Sequence, residues 1–449
     1  MKLKSFALTS VTFCFAAICG TPSVQAVTLT KIVDGISNAR GISFGPDGSL
    51  YVAEPGVGGN GNCQPSPSTL FQPICAGNTS SLVKVSPDGT QQRLLTNFQS
   101  LAEQPTGNQG AGIEDIQFDS QGNAYLLTGF AGYPGNRDLA THDLASQYPL
   151  PEKQLATFPP STADKVLNTP LLGQLYKVDL NTGSLTSIFD FAKNEITKNP
   201  DNGDVVTNPY DLTVSGDSAY VVDGGGNTAY KIKLDGSESQ VITIPKTIIS
   251  DSDLPPGLQL PPGLLDQLPG GKIAIQAVPT GGAIGPDGAL YVGEYTGFPY
   301  PAGKSRIFRI GDDLKPEVFL DGFTHITDLT FDKNGNLLVL QFSDTSQLGG
   351  DITNLPGSLI EVAPDGTRTT LVAAGQGLDS ADGIDIGPDG KIYITNRGVG
   401  PGLGEVVRVD TTVVPEPNSA IGLIALSVLG ATSMHKRKRT KELAKVETI

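Results

Sequence analysis

The stretch TGGAIGPDGALYV, residues 280–292, is one of three closely similar segments that decide the fold. The other two are RGISFGPDGSLYV at 40–52 and DGIDIGPDGKIYI at 382–394. Weaker copies begin at Glu114, Tyr210 and Thr327. Alternating apolar residues on both sides of a Pro-Asp-Gly or Asn-Gly turn are typical of an antiparallel hairpin. Repetition of this unit along one chain predicts a repeat architecture.

A third strand and turn follow the hairpins, as in LVKVSPDG at 82–89 and LIEVAPDG at 359–366, and a fourth strand comes next. Six units of four antiparallel strands predict an all-β fold, a six-bladed β-propeller. The last unit ends after its third strand, at 406–409, whereas residues 28–33 form a spare strand. We therefore expect the N-terminal strand to complete the last blade and close the ring, which removes an open sheet edge.

Composition is consistent with one large propeller domain over residues 27–412. The chain of 449 residues contains 55 glycines and 33 prolines, as expected for many short strands joined by turns. A hydrophobic content of 38% is typical of a globular protein. A propeller of this length needs no single spherical core because it grows by adding blades.

Residues 1–26 have the features of a secretory signal peptide. Lys2 and Lys4 precede an apolar run at 6–19, and small residues at 24–26 offer a site for signal peptidase. A lipoprotein anchored through Cys19 is the alternative, although the residues before this cysteine form a poor lipobox.

The C-terminal segment 413–439 resembles a PEP-CTERM sorting signal. Pro415, Glu416 and Pro417 precede a short apolar run at 420–432 and then a basic cluster, and residues 440–449 form a tail. The resemblance implies recognition by an exosortase-type sorting machinery and export to the periplasm, cell surface or extracellular matrix. The apolar run is shorter than the roughly 20 residues of a stable membrane span. An ordinary transmembrane anchor at the C-terminus is the alternative.

The chain is acidic, with a net charge of −15, and its signal-like ends contain several of its basic residues. An acidic domain argues against nucleic acid as a partner, because phosphate binding needs a basic surface. The acidity either keeps an exported protein soluble or binds divalent cations at the surface.

Cys63 and Cys75 are the two cysteines outside the signal peptide. In an exported protein, such a pair within one loop predicts a disulfide. Closing so short a loop is worth about 3 kcal/mol. A redox pair or a metal site is the alternative, but it lacks the C-x-x-C spacing and a supporting histidine.

Long connections are expected on one face of the propeller. They comprise residues 56–81, 131–172, 191–207, 245–278 and 343–357, whereas the links on the opposite face are tight turns. Long loops on a rigid scaffold often carry function, so this face is predicted to bind a small-molecule or cell-surface ligand. The alternative is that insertions accumulate wherever they are tolerated.

Polar residues just before each first strand are predicted to converge on the channel mouth of that face. The candidate metal ligands are Glu114, Asp115, Asn208, Asp211, His325, Asp328 and Asp382, with Asn38 beside them. Two unit charges 4 Å apart repel by about 4 kcal/mol at an effective dielectric near 20, so the ring requires a cation or shifted pKa values. Oxygen ligands favour Ca²⁺, and His325 would also permit a transition metal. The alternatives are aspartates that bind a neighbouring backbone and a structural histidine.

The ends of the second strands are also uniformly polar and are predicted to line the same mouth. They are Glu54, Thr128, Asp223, Glu294, Gln341 and Asn396. Signals for catalysis are otherwise few, since the chain has three histidines, no tryptophan and no G-x-S-x-G, P-loop or H-E-x-x-H motif.

The hairpin copies GISFGPDGSLYVAE at 41–54 and GNAY at 122–125 resemble NHL-type propeller repeats. Together with the secretion signal, Ile113-Glu114-Asp115 and the cysteine loop, they resemble the ScyD/ScyE family of exported cyanobacterial propellers over residues 27–412. The resemblance implies binding or processing of a small molecule in extracytoplasmic scytonemin-type pigment metabolism. Two alternatives remain, a non-catalytic binding protein of the cell surface or matrix, and a calcium-dependent lactonase-like hydrolase suggested by fold-level analogy. Whether the protein is an enzyme stays open.

Overall fold

Antiparallel β-sheets dominate the architecture. The computed structural model describes residues 25–157, 159–254, 257–258 and 265–413. Within these residues there are three α-helices, α1 (Leu139–Ala145), α2 (Glu152–Thr157) and α3 (Phe191–Lys198). The strands in chain order are β1 (Gln25–Ile36), β2 (Ile42–Phe44), β3 (Leu50–Glu54), β4 (Cys63–Pro65), β5 (Pro73–Val85), β6 (Gln91–Glu103), β7 (Ile113–Phe118), β8 (Ala124–Thr128), β9 (Gln174–Asp179), β10 (Ser184–Asp190), β11 (Pro209–Ser215), β12 (Ser218–Asp223), β13 (Thr228–Lys233), β14 (Ser239–Thr243), β15 (Thr247–Ser250), β16 (Asp266–Leu268), β17 (Lys272–Ile275), β18 (Pro279–Ile284), β19 (Leu290–Glu294), β20 (Ser305–Ile310), β21 (Pro316–Phe323), β22 (Ile326–Phe331), β23 (Leu337–Gln341), β24 (Ser358–Val362), β25 (Arg368–Val372), β26 (Ile384–Ile386), β27 (Ile392–Asn396) and β28 (Gly404–Val413).

Most sheets consist of four consecutive strands, as the repeats predicted. They are β7 to β10, β11 to β14, β18 to β21 and β22 to β25. The first sheet contains β2, β3, β5 and β6 and, in addition, the short strand β4, which pairs with β5. The last sheet has the order β1-β28-β27-β26, so the N-terminal strand lies beside the C-terminal one.

The predicted turns close the inner hairpins. In the first of them, the Asp47 side chain accepts a hydrogen bond from the Ser49 backbone N–H at 3.0 Å. Gly48 has a φ of 74°, which glycine adopts without the steric cost of a side chain. The Pro-Asp-Gly sequence therefore fixes both the turn and the register of β2 against β3.

The first strands of the large sheets contact one another in sequence. β2 contacts β7, β7 contacts β11, β11 contacts β18, β18 contacts β22, β22 contacts β26, and β26 contacts β2. Apolar side chains fill the space between neighbouring sheets, as Leu82 and Tyr51 do against Ile116 and Leu126. Full burial of each such aliphatic side chain contributes about 1.5–3 kcal/mol. These contacts hold the inner strands close together within the compact unit Leu29–Asp410.

The long connections contain more structure than the sequence predicted. Residues 245–278 include a separate three-stranded sheet, with the order β15-β17-β16. Its buried face carries Ile249, Ile273 and Ile275, which form a small core of their own. The alternating apolar residues of β17 are sufficient to make a strand within this long connection.

The predicted disulfide is confirmed. Cys63 and Cys75 are bonded to each other and are direct partners in the pairing of β4 with β5. The disulfide links β4 to β5 of the first sheet. The connection between these two strands contains Leu70 and Phe71.

The predicted signal peptide, residues 1–26, and the sorting signal, residues 413–439, lie almost entirely outside the described residues. The same holds for the tail at 440–449. No helix among the residues that the structure describes is long and apolar enough to cross a membrane.

Candidate axial cavity

Bulges interrupt the pairing at the start of four inner strands. The pairing of β7 with β8 skips from Ile113 to Asp115, and equivalent skips occur in β11, β18 and β22. The residues left unpaired are Glu114, Tyr210, Thr280 and Thr327. A bulge interrupts the alternation of side chains along a strand. Glu114 and Asp115 therefore contribute to two successive layers around the centre.

The deeper layer consists of Asp115, Asp211 and Asp328, each bonded to the next inner strand. Their carboxylates accept hydrogen bonds from the backbone N–H of Leu212 at 3.0 Å, Gly282 at 2.6 Å and Ile384 at 2.8 Å, respectively. Glycine makes room for one of them, because a Cβ at Gly41 would lie 2.3 Å from the Asp115 carboxylate. These aspartates thus join neighbouring sheets through the backbone, as one of the sequence alternatives proposed.

Burial favours the protonated forms of the deeper aspartates. Burial raises the pKa of Asp115, and the charge of Asp211 raises it further. Burial likewise raises the pKa of Asp211 and of Asp328. The Asp115 and Asp211 carboxyl groups are close enough for each to influence the pKa of the other. The raised pKa values of this layer relieve part of the repulsion that the sequence predicted.

A preformed metal cluster is not seen in the described ranges: no three His, Cys, Asp or Glu side chains there are arranged to hold a metal ion. The metal site at Glu114, Asp115, Asn208, Asp211, His325, Asp328 and Asp382 stays a prediction.

Asn208 and His325 occupy different environments. The Asn208 side-chain oxygen accepts a hydrogen bond from the Phe130 N–H at 3.2 Å, and the residue lines the central cavity. His325 is fully buried with its ring stacked on Tyr295 at 4.7 Å. Burial lowers the pKa of His325 to about 4, so the ring is neutral at pH 7.

The repeat position of His325 also explains its backbone. Asn38, Val278, His325 and Ser380 occupy equivalent places before four inner strands, and all four have a φ between 45° and 55°. For a β-branched residue such as Val278 this left-handed conformation is strained. The sharp turn before each of these inner strands imposes the left-handed conformation. The primary role of this repeat position is therefore to form the turn.

The upper layer is a buried polar cluster of Arg40, Glu114, Tyr210 and Asp382, which we call the floor group. The Arg40 guanidinium lies 2.7 Å from Asp382 and donates to the Gly398 carbonyl at 2.8 Å. The Tyr210 hydroxyl donates to Asp382 at 2.9 Å. Arg40 Nε lies 3.4 Å from Glu114 Oε2, outside good hydrogen-bond geometry. Asp382 is therefore well satisfied, whereas Glu114 is only loosely paired.

The environment of Glu114 favours its protonated form. Burial raises the pKa of Glu114 to about 8, although Arg40 and the Gly112 N–H act in the opposite direction. Burial also raises the pKa of Asp382, against the effects of Arg40 and Tyr210. At pH 7 we assign the floor group an Arg40–Asp382 ion pair, a neutral Tyr210 and a protonated Glu114.

A cavity of about 750 Å³ opens above the floor group. Its walls come from the long loops and carry apolar and aromatic side chains, including Leu70, Phe71, Val278, Tyr295, Phe298, Tyr300, Phe342, Ile352 and Val399. Charged side chains also contribute, namely Lys153, Asp201, Asp204, Lys246 and Asp266. The loops that the sequence assigned to one functional face therefore meet around one cavity.

The prediction for the ends of the second strands was wrong. Glu54, Thr128, Asp223, Glu294, Gln341 and Asn396 are absent from the cavity lining. They are buried and bonded to the connections instead: Glu54 accepts from the Ser37 N–H at 2.9 Å, and the Thr128 hydroxyl donates to the Leu171 carbonyl at 2.9 Å. These side chains anchor loops, which the polar character of the position could not distinguish from ligand binding.

Sequence reasoning missed Arg40 and Tyr210 as site residues and missed the aromatic walls. Both residues occupy the same repeat position as Glu114 and Asp382, so the repeat register was a usable signal. The aromatic residues lie in irregular loops at 295–300 and 342, where no repeat predicts direction.

Comparisons with known proteins give little. No family model matches the chain, and no curated protein matches it significantly. Similar solved structures include a streptogramin B lyase, 14% identical, covering 86% of this chain and 98% of that one with a TM-score of 0.42. They also include a gluconolactonase from Xanthomonas campestris, with 12% identity, coverages of 86% and 90% and a TM-score of 0.44. The calcium-binding protein regucalcin from Agrobacterium tumefaciens has 10% identity, coverages of 87% and 96% and a TM-score of 0.44. At these identities and TM-scores, no conclusion about the function of this chain is drawn from them.

Proposed function

We propose that this protein binds a small molecule in the axial cavity and exchanges a proton with it through Glu114. The observation that carries the proposal is the position of a loosely paired, protonated carboxyl on the floor of a cavity of about 750 Å³. Sites for small molecules are typically cavities of roughly 300–1,000 Å³ with apolar walls and a few convergent polar groups. Both features occur here.

The aromatic walls and the floor group select a largely aromatic ligand whose inner end is polar but uncharged. Tyr295, Phe298, Tyr300 and Phe342 provide aromatic surface. The floor group has no net charge at pH 7, because the charges of Arg40 and Asp382 cancel. A ligand charge would therefore lose its hydration without gaining a free counter-charge. A carbonyl or hydroxyl group would instead bond to Glu114 or Arg40.

Glu114 gives the site a means to process the ligand. A group with a pKa of about 8 changes protonation near neutral pH, which suits general acid–base catalysis. Arg40 would stabilise negative charge developing on a ligand oxygen while Glu114 donates its proton. A calcium-dependent lactonase-like hydrolase is the alternative function, with the cation held by the predicted ligands around Asp211 and Asp328.

The scaffold that we propose for this site is a ring of six blades closed by β1. The circular order of contacts among the six inner strands and the position of β1 beside β28 support it. The Thr30 hydroxyl donates to Asp410 at 2.8 Å, a contact between the two ends of the ring.

Export and pigment metabolism are further parts of the proposal. The resemblance to the ScyD/ScyE family would make the ligand an aromatic compound of scytonemin-type metabolism outside the cytoplasm, which suits the aromatic walls. Signal peptidase and an exosortase would process the two ends. Replacement of Pro415, Glu416 and Pro417 by alanine should then leave the C-terminal tail on the exported protein, as intact mass would show. Tail removal in that variant would contradict sorting by the Pro-Glu-Pro motif.

The binding proposal is tested with Prodan, an uncharged naphthyl ketone dye. The chain has no tryptophan, so a Phe342→Trp variant places a single reporter in the cavity wall. The matched control is Phe319→Trp, because Phe319 is 45% exposed on the outer strand β21. We expect saturable binding of one dye per chain, with energy transfer from position 342 much stronger than from position 319. Unsaturable binding, or equal transfer from both positions, would contradict the proposal.

A further inference from the structure

Glu195 is a buried carboxylate that the axial cavity does not use. It lies on α3 with no exposed surface, and neither of its side-chain oxygens has a hydrogen-bond partner. Burial, followed by the charges of Asp223 and Asp201, raises the pKa of Glu195 well above its usual value, against a smaller effect of the Val206 amide. None of the ion pairs found among the described residues involves Glu195. A carboxylate isolated in this way is costly, so the surroundings should offer a ligand.

Three oxygen-bearing groups converge beside Gly226. A Cβ placed on this glycine would lie 3.3 Å from Glu195 Oε2, 3.3 Å from Thr228 Oγ1 and 3.5 Å from the Asp223 carboxyl carbon. The three side chains come from α3, β13 and the end of β12, so separate elements supply them. The absence of a side chain at position 226 leaves the space between them free.

The pocket holds two buried carboxyl groups without a counter-charge among the described residues. Asp223 has no exposed surface and accepts backbone hydrogen bonds from Asn208 at 2.7 Å and from Gly225 and Gly226 at 3.0 Å. These donors and the Thr207 hydroxyl favour the ionised carboxylate, whereas burial raises the pKa of Asp223 overall. Glu195 faces this charge, and the Thr228 hydroxyl is buried without a partner. No lysine or arginine in the described ranges forms an ion pair with either carboxylate.

We propose that Glu195, Asp223 and Thr228 bind a divalent cation, Ca²⁺, beside Gly226. The ligands are all oxygens, and two carboxylates supply the charge that a calcium site needs. The proposed site has two carboxylates, fewer than the three acidic or metal-binding side chains of a preformed cluster. Water molecules complete the coordination of the cation. The site is separate from the axial carboxylates.

Terbium luminescence tests the site on the purified full chain. Tb³⁺ replaces Ca²⁺ and emits when a nearby aromatic ring is excited, and the chain contains tyrosine but no tryptophan. Tyr230 is close enough for the charges of Asp223 and Glu195 to raise its pKa. We expect one tyrosine-sensitised Tb³⁺ per chain, displaced by Ca²⁺. We also expect one tightly bound calcium by mass spectrometry and a Tm that falls on chelation.

Variants separate the site from other sources of the signal. Glu195→Gln should weaken binding by about two orders of magnitude through loss of a charged ligand. Gly226→Ala keeps every ligand but fills the space between them, and it should have a similar effect. Tyr230→Phe should reduce the emission while the calcium-dependent Tm shift remains. Asp211→Asn tests the axial carboxylates as the alternative location of the metal, and Glu238→Gln on the exposed surface is the control that should change neither.

The outcomes decide the proposal in either direction. Absence of bound metal, of sensitised emission and of a Tm shift in the natural protein would show that the space holds water, and the proposal would be wrong. This measurement needs no variant, so it holds even if Glu195→Gln does not fold. Undiminished metal binding by Glu195→Gln would show that the metal binds at another site. Loss of binding by Asp211→Asn, with Glu195→Gln unaffected, would place the metal at the axial carboxylates.

Discussion

Replacement of Glu114 by glutamine should change how stability depends on pH. The folded-state pKa of Glu114 is about 8, against an ordinary value of 4.5, because burial disfavours its charge. Between these values the folded protein carries one proton more at this site than the unfolded chain. The stability of the natural protein must therefore fall as pH rises through this window, by about 1.4 kcal/mol per pH unit from this one group.

The Glu114→Gln variant keeps the size and a hydrogen-bonding oxygen but cannot titrate. The other buried carboxyls, including Asp115 and Asp211, are present in both proteins and cancel in the difference. Relative to the natural protein, the variant should therefore gain about 4 kcal/mol in the free energy of unfolding between roughly pH 5 and pH 8. Arg40, Asp382 and Tyr210 face Glu114 and keep their contacts with one another in the variant.

Urea denaturation at a series of pH values measures this difference directly. Glu238→Gln is the control, since Glu238 lies in the exposed turn before β14, and its profile should run parallel to that of the natural protein. A Glu114→Gln profile that is also parallel would mean that Glu114 is ionised in the folded state. The proton proposed for the floor of the cavity would then not exist at neutral pH.

Three further outcomes are expected. Asp115→Ala leaves the Leu212 N–H without its acceptor and should lower the free energy of unfolding by about 1–3 kcal/mol, measured by urea denaturation, whereas an unchanged midpoint would contradict the joining of sheets by this side chain. Cys63→Ser with Cys75→Ser should cost about 3 kcal/mol in the same assay, and the natural protein under reducing conditions should lose a similar amount. Deletion of residues 27–33 should expose the edge of β28 and cause a lower Tm with aggregation, so an unaffected monomer would argue against closure by β1.

The repeats made much of the fold predictable. Pro-Asp-Gly at residues 46–48 specifies a turn through local chemistry, and alternating apolar residues specify the strands beside it. The spare strand at 28–33 was likewise visible because the last copy lacks one. Residues 245–278 were not predictable in this way, because β15 and β17 are single occurrences without a repeat to mark them.

The site was predictable in position but not in chemistry. The repeat register brought Glu114, Asp115, Asp211 and Asp382 to the centre of the sheets. It could not show that bulges divide them into two layers, because a bulge depends on the pairing of a strand and not on its composition. Nor could it show that Asp211 bonds to a neighbouring backbone, since an aspartate that binds an amide and one that binds a metal look alike in sequence.

A crystal structure of the protein with bound Prodan would test the central claim most directly. The account predicts one dye molecule in the axial cavity, with its rings against Tyr295 and Phe342 and its ketone oxygen within hydrogen-bond distance of Glu114 or Arg40. Dye bound only on the outer surface, with the loops closed over an intact Arg40–Asp382 pair and no space above it, would contradict a ligand-binding function for this cavity.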